Sequence, residues 1–366
     1  DLPLNIHRPS KPAFGFFMNK IKVTNCSECH NKSIFEYLEK QGKLSVFNHP
    51  IWVEILFQSY RTKKVYFIAY NDGVICGVLS GYIVTGLKLG KVLHTLKEGL
   101  VADSDLIYSR ILDYVNNFCE NNKIESFLAS TGRYELSDSS YKVTTKKSLK
   151  IKILKSVDEC WDVLRSKERT QIRKVLKQGF YVEKDRNNLK YFYNIYVNSM
   201  IKKKVSIHSF NFFETMFEEF GDCAKLITLR KDNNIVAGIV LIYVDGSVYH
   251  PFHASNGNFY KYKLNNLLIW ESVKYCVEKG ASWLHMGEAT LNGGVYKFKV
   301  SVGGEPFDSF YYTNMGKSDN NESYNNSKSS LGGYLLKKFR DNIVKFLPKF
   351  LSKSLFIFLR KRTKML

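Results

Sequence analysis

Leu226-Ile227-Thr228-Leu229-Arg230-Lys231-Asp232-Asn233-Asn234-Ile235-Val236-Ala237-Gly238-Ile239-Val240 is an apolar run, a polar turn and a second apolar run. The runs are rich in β-branched residues and the turn in Asp and Asn, so the stretch predicts two strands joined tightly. The pattern has an earlier twin. Val65-Tyr66-Phe67-Ile68-Ala69-Tyr70 leads through Asn71-Asp72-Gly73 into Val74-Ile75-Cys76-Gly77-Val78-Leu79. A second pair of segments follows each hairpin. Ile111 to Cys119 has helical spacing and runs into Glu125-Ser126-Phe127-Leu128-Ala129, and Leu268 to Cys276 runs likewise into Ser282-Trp283-Leu284-His285-Met286. The order hairpin, helix, strand therefore occurs twice, which predicts two copies of one α/β unit. Only the second copy continues into Tyr296-Lys297-Phe298-Lys299, and that asymmetry points to the half that does chemistry.

A chain of 366 residues is long enough for two or three domains. Its 44% hydrophobic and 14% aromatic content suits a folded protein and excludes a disordered one. The 7 cysteines are odd in number and scattered, which fits a reduced cytoplasmic protein better than a disulfide framework. The net charge is +21, and residues 317–366 hold 12 Lys and Arg against 3 Asp and Glu. Such a balance favours an anionic partner. No secretory signal and no uninterrupted apolar stretch of roughly 18 residues is read. Residues 317–330 read as a polar linker. After it, Leu335, Phe339, Ile343 and Phe346 share a helical face beside Lys337, Lys338 and Arg340, which predicts an amphipathic tail on an anionic membrane surface.

Further elements are expected at 31–41, from Asn48-His49-Pro50 onward, at 65–70, 74–80, 89–95 and 143–154, at 188–200 and at 209–220. A helix opening at Cys160 and capped by Gly179 gathers Arg165, Arg169, Arg173 and Lys177 on one face, with Lys202, Lys203 and Lys204 nearby in sequence. Such a stripe binds phosphate or RNA; its plain alternative is a solvated face. Cys26-Ser27-Glu28-Cys29-His30 matches the spacing that attaches c-type haem, but that chemistry needs export and the match reads as coincidence. No metal site is expected. His208, His250 and His253 invite a catalytic-base reading. His250 and His253 lie in one strand, where alternation would send them to opposite faces, and a hydrogen-bonded structural histidine is the plain alternative for each. Gly287-Glu288, Asn292-Gly293-Gly294 and Tyr296-Lys297-Phe298-Lys299 read as a strand end, a glycine-rich loop and a short extended element. Loop amides hold oxyanions, and Lys299 suits charge developing in acyl transfer. The plain alternative is a loop with a surface lysine.

Several of these segments resemble the Fem-type aminoacyltransferases and their relatives in surface-polysaccharide clusters, which share a tandem GNAT fold. The resemblance covers most of residues 44–314. Phe47-Asn48-His49-Pro50-Ile51-Trp52 is similar to the family's opening helix, and the 71–79 hairpin to its first hairpin. Leu164 to Gly179 is similar to its basic helix, and Met200 to Glu214 to its next helix pair. Asn265-Asn266-Leu267-Leu268-Ile269-Trp270 is similar to the helix after the acyl-donor strand, and Phe298-Lys299 with Gly303 to the closing Phe-Lys and glycine. The polysaccharide branch often has Gly-Arg-Ser where this chain has Gly287-Glu288-Ala289. The pyrophosphate loop of simple acetyl-CoA enzymes is replaced by Gly257 to Lys263.

The resemblance implies two GNAT-like α/β units, at 1–148 and 149–316, with the linker and tail at 317–366. It implies an acyltransferase that moves an aminoacyl or acyl group from aminoacyl-tRNA or acyl-CoA, with no permanently bound cofactor. The acceptor would be an amine or hydroxyl of a lipid-linked or nucleotide-linked envelope precursor, at the cytoplasmic membrane face; no DNA partner is implied. Lys299 would stabilise charge, Glu288 would accept a proton, and Phe298, Tyr296, Asn265, His208 and His253 would line the substrate site. Arg169, Arg173, Lys202 and Lys203 would hold phosphates. The rival readings are a catalytically silent scaffold and an RNA-binding module.

Overall fold

The computed structural model describes residues 21–27, 31–60, 62–85, 91–137, 141–203, 205 and 207–314. The tail and linker expected at 317–366, and Cys29-His30 of the haem-like motif, lie outside them. Among the described residues no helix is long and apolar enough to cross a membrane.

The first half runs β1 (Ile21–Cys26), α1 (Asn31–Lys40), α2 (Pro50–Tyr60), β2 (Lys63–Asn71), β3 (Val74–Thr85), β4 (Lys91–Ala102), α3 (Asp105–Asn121), β5 (Ile124–Gly132) and β6 (Lys142–Lys152). Two helices, α4 (Val157–Val163) and α5 (Ser166–Lys177), lead to the second half: β7 (Tyr181–Glu183), α6 (Leu189–Lys203), α7 (Phe210–Phe220), β8 (Ala224–Lys231), β9 (Asn234–Val244), β10 (Ser247–Ser255), α8 (Leu264–Glu278), β11 (Trp283–Ala289), α9 (Gly294–Ser301) and β12 (Glu305–Thr313). The repeat read from the sequence is present: β2-β3-β4-α3-β5 is matched by β8-β9-β10-α8-β11. Both hairpins turn on two consecutive residues of positive φ, Asp72 (49°) with Gly73 (82°) and Asp232 (46°) with Asn233 (60°). That backbone matches the twist of antiparallel strands, and Asp, Asn and Gly tolerate it best.

All strands join one sheet in the order β1-β2-β3-β4-β5-β12-β6-β11-β10-β9-β8-β7. The last strand of each half is exchanged. β6 pairs with β11 of the second half, and β12 pairs with β5 of the first. Position 148 thus lies inside β6, a strand of the first half of the chain that completes the sheet of the second.

Both sheet faces are covered, which explains the near-continuous apolar runs of the strands. Along β2, Tyr66 and Ile68 join a core with α1, α2, α6 and α7, while Phe67 and Ala69 join a second core under α3. Along β9, Val240 and Ile242 enter the first core, and Ile239 and Leu241 enter a third core with α5 and α8. The first core is common to both halves. Trp52 of α2 sets its ring edge-on to Phe212 of α7, with centroids 5.8 Å apart. The two units are therefore locked by packing as well as by strand exchange.

Three local expectations are corrected. The basic helix is broken: α4 ends at Val163 and α5 starts at Ser166, so Arg165 caps α5 instead of extending a stripe. Gly179 does terminate the helix, with φ 77°. The segment Tyr296-Lys297-Phe298-Lys299 is helical, not extended, because Gly293 opens a short helix in which Lys297 N–H bonds the Gly293 carbonyl at 3.0 Å. Residues 297 and 299 therefore face different ways. Finally, His250 and His253 do not point to opposite faces. The register of β10 against β9 slips between Tyr249 and Phe252, and this bulge at Pro251 brings both rings to one side, with centroids 5.2 Å apart.

Candidate active site

β10 and β11 are parallel neighbours, yet they pair only from Ser247 opposite Trp283 to Tyr249 opposite His285. Beyond that point the ladder stops. β10 carries its bulge at 250–251, and β11 carries one between His285 and Gly287, where Gly287 has φ 72°. Only glycine takes that conformation freely. The strands thereby leave a wedge, and α9 closes it from one side. The wedge is an open cleft of about 170 Å³ lined by His250 and His253 of β10, Asn265, Leu268 and Ile269 of α8, and Gly294, Val295, Phe298 and Lys299 of α9.

Lys299 is buried, with 6% of its surface exposed. Its Nζ donates to three carbonyls in succession along β11: Met286 at 2.6 Å, Gly287 at 3.1 Å and Glu288 at 3.0 Å. An ammonium has three donors, so all are engaged. Burial, with Lys97 adding to it, pushes its pKa down to about 8, against the pull of Glu288. Gly304 sits beneath, its N–H on the Lys299 carbonyl at 2.9 Å. A Cβ there would stand 2.5 Å from that oxygen and from the Met286 methyl.

Glu288 faces the seam between the units. It accepts from the Tyr311 hydroxyl and pairs with Lys97 and Lys146, each at 3.4 Å. Burial opposes its ionisation, but Lys97, Tyr311 and Lys146 outweigh that and hold its pKa low. A carboxylate so held is a tie between β4, β6, β11 and β12 before it is a base. Beside it lies a narrow crevice of about 20 Å³, room for little more than a water, walled by Phe47, Lys97, Glu98, Ser148, Tyr249, His250, His285, Gly287 and Phe307. His285 stacks on Tyr249 at 4.6 Å and is held neutral, near pKa 3, by burial and then by Arg133, Lys150 and Lys97.

The structure brings Lys299, Phe298, Asn265 and His253 together in the wedge. Asn265 Oδ1 accepts from Ser255 at 2.9 Å, which ties α8 to the end of β10. Tyr296 packs on the core behind α9. His208 is not brought to the site. It is buried in the shared core, stacked on Phe212 at 3.9 Å, with Nδ1 2.6 Å from the Tyr60 hydroxyl. Arg169 donates to the Trp161 and Asp162 carbonyls at 3.2 and 2.8 Å, and Arg173 lies over the Trp161 ring at 5.1 Å, so both staple α4 to α5. Lys202 and Lys203 are exposed at the end of α6; the charge of Lys203, after burial, helps hold His253 near pKa 4. Sequence reasoning missed Lys97, Lys146 and Tyr311 around Glu288, and the β11 carbonyls around Lys299. Register decides those contacts, and no local pattern shows it. Pro251 inside a strand was the one readable sign of the β10 bulge.

Residues 164–300 match the acetyltransferase (GNAT) domain family. No curated protein sequence matches the chain. Among solved structures it is similar to FemX, with 14% identity, TM-score 0.59, and 78% of this chain and 96% of that one covered. It is also similar to a tandem GNAT protein from the clavulanic acid biosynthesis pathway, with 8% identity, TM-score 0.52, and 82% and 100% covered. The L-PGS of Bacillus licheniformis follows at 11% identity and TM-score 0.51, with 81% and 98% covered. At such identities the likeness is one of fold, and it bears out the tandem arrangement that the repeats predict. The chain has a tandem GNAT fold, and within its second unit residues 164–300 match the acetyltransferase (GNAT) domain family.

Proposed function

We propose that this protein transfers an aminoacyl or acyl group from an activated donor to an amine or hydroxyl of a cell-envelope precursor, at the cytoplasmic face of the membrane. The observation that carries the reading is the wedge between β10 and β11, with a buried cation at its apex and a narrow crevice beside it. The donor carbonyl enters the wedge, and the acceptor approaches it along the seam between the units, where the narrow crevice opens beside the wedge. A free amine is already a competent nucleophile, so positioning and charge stabilisation supply most of the rate. Lys299 acts through its charge and by fixing the β11 carbonyls, since its N–H groups are engaged. Phe298 and Asn265 shape the wedge.

The cations around the inter-unit cleft support an anionic acceptor. Lys97 lines it, Arg133 covers its Phe307 wall at 4.2 Å, and Lys150 lies over Trp283 at 3.2 Å. This arrangement suits the phosphates of a nucleotide-linked or lipid-linked precursor. Aminoacyl-tRNA is the favoured donor, on the Fem-type resemblance and the net charge of +21, and acyl-CoA is the alternative. The basic tail would hold the enzyme on the membrane surface. The test is transfer of label from alanyl-tRNA or acetyl-CoA to a UDP-linked, lysine-containing muramyl pentapeptide. Label on the pentapeptide is expected, and binding of RNA without transfer from either donor would replace the reading by an RNA-binding role.

A further inference from the structure

Among the described residues, His250 alone lines both the wedge and the inter-unit cleft. It is 9% exposed, and its Nδ1 is buried with no hydrogen-bond partner among the described residues. Such an orphaned nitrogen is unusual, because burying a polar atom unpaired costs free energy. It stands in this position because of the bulge at Pro251, which breaks the alternation of β10 and turns His250 toward the place where donor and acceptor would meet.

We propose that His250 is the proton carrier of the transfer, an inference that rests on the acyl-transfer reading above. The acceptor nitrogen attacks the donor carbonyl, a C–N bond forms, and the carbonyl electron pair moves onto oxygen. The nitrogen, now cationic, gives its proton to the imidazole. The oxyanion then collapses, the C–O bond of an aminoacyl ester or the C–S bond of a thioester breaks, and the imidazolium returns the proton to the leaving oxygen or sulfur. The groups facing His250 suit a carrier and not a sink. His253 and Lys299 face it from the wedge, and Lys97, Glu98, Tyr249 and His285 line the cleft on its other side. Burial first, then His253 and Lys299, disfavour the imidazolium, so a proton taken up is passed on. A weak base suffices, because the nitrogen of a tetrahedral adduct is far more acidic than a free ammonium. The other candidates are placed worse. Glu288 is held between two lysines and Tyr311, and His253 lines the wedge alone.

The test uses the full chain, alanyl-tRNA and acetyl-CoA as donors, the UDP-linked pentapeptide as acceptor, and single-turnover rates. His250→Ala and His250→Asn should each lower the rate about 10²-fold or more, the usual contribution of a proton-transfer group. Affinities for donor and acceptor, measured by titration, should stay within about threefold. Added imidazole should restore part of the rate to His250→Ala but not to His250→Asn, whose amide fills the space. A near-normal rate in either folded variant overturns the proposal, as does a loss matched by lost affinity and insensitive to imidazole, which would mark a packing role. If the unmodified chain transfers from neither donor, the acyl-transfer reading fails and this inference fails with it.

Discussion

Lys299 Nζ lies 2.6 Å from the carbonyl oxygen of Met286, a contact that ties α9 to β11 at the edge of the wedge. With Gly287 and Glu288 it forms a three-carbonyl clamp around one buried ammonium. The clamp makes Lys299 a structural residue as well as a charge, and this changes what its removal should do. Lys299→Met leaves three carbonyls without their donor, so a loss of about 2–4 kcal/mol of stability is expected in urea unfolding. The sequence alone would have placed this lysine at a cleft surface, where its loss costs little stability.

The burial of the same ammonium, with Lys97 adding to it, sets a pH dependence. The folded-state pKa of Lys299 is lowered, to about 8 from 10.5, so between those values the unfolded chain binds more protons than the folded one. Stability contributed by this group therefore rises with pH across that window. The unfolding free energy of the unmodified chain, less that of Lys299→Met, should grow by up to about 3 kcal/mol from pH 8 to pH 10.5. A flat difference across the window would show that the lysine is not titrating as the burial requires.

How much of this could be read from the chain is clear at particular residues. The hairpins at 65–79 and 226–240 were legible because two turns with Asp, Asn and Gly separate β-branched runs, and the structure gives both turns the same positive-φ pair. Gly179 and Ser209 marked helix ends correctly, and Ser209 accepts from the Phe212 amide at 3.2 Å. The exchange of β6 and β12 was not legible, since nothing local tells a strand which half it will pair with. The site was half legible. Lys299 and His253, both picked out in the sequence, do share the wedge, but the helix at 294–301 is short, begins at Gly294 behind Gly293, and has no capping side chain to announce it. His208 was misplaced because a histidine among aromatics looks the same in sequence whether it lines a cleft or a core.

The carboxylate of Glu288 should tie the units together. Glu288→Gln leaves Lys97 and Lys146 facing each other without their counter-charge, and a loss of about 1–3 kcal/mol is expected. Because its pKa is depressed in the fold, the stabilisation is present above the unfolded carboxylate value and is lost as pH falls through the folded one. Acid titration followed by tryptophan fluorescence should show a shallower acid limb for Glu288→Gln than for the unmodified chain. Identical acid limbs would remove this ion pair from the account.

Gly304 packs where no side chain fits. Gly304→Ala places a Cβ against the Lys299 carbonyl, which cannot yield without moving α9. Destabilisation of about 1–3 kcal/mol is expected, with transfer activity falling further than stability because the wedge loses its wall. Thermal unfolding and turnover on the same preparation check both parts; an unchanged melting temperature would show that α9 is free to shift.

Arg169 separates a structural from a phosphate-binding role. Its bonds to the Trp161 and Asp162 carbonyls predict that Arg169→Ala weakens the α4–α5 contact by about 1–2 kcal/mol. On the phosphate reading, Arg169→Ala with Arg173→Ala should raise KM more than it lowers kcat. Loss of stability with an unchanged KM would assign both arginines to packing.

The central claim is that the wedge of the second unit carries out the transfer. Its most direct test is the single-turnover rate from alanyl-tRNA and from acetyl-CoA to the UDP-linked pentapeptide, in unmodified chain and in Lys299→Met, below the melting temperature of both. Transfer by the unmodified chain is expected, with a rate about 10²–10³-fold lower in the variant, the scale of losing one stabilising group at an oxyanion. Near-normal transfer by folded Lys299→Met would contradict it.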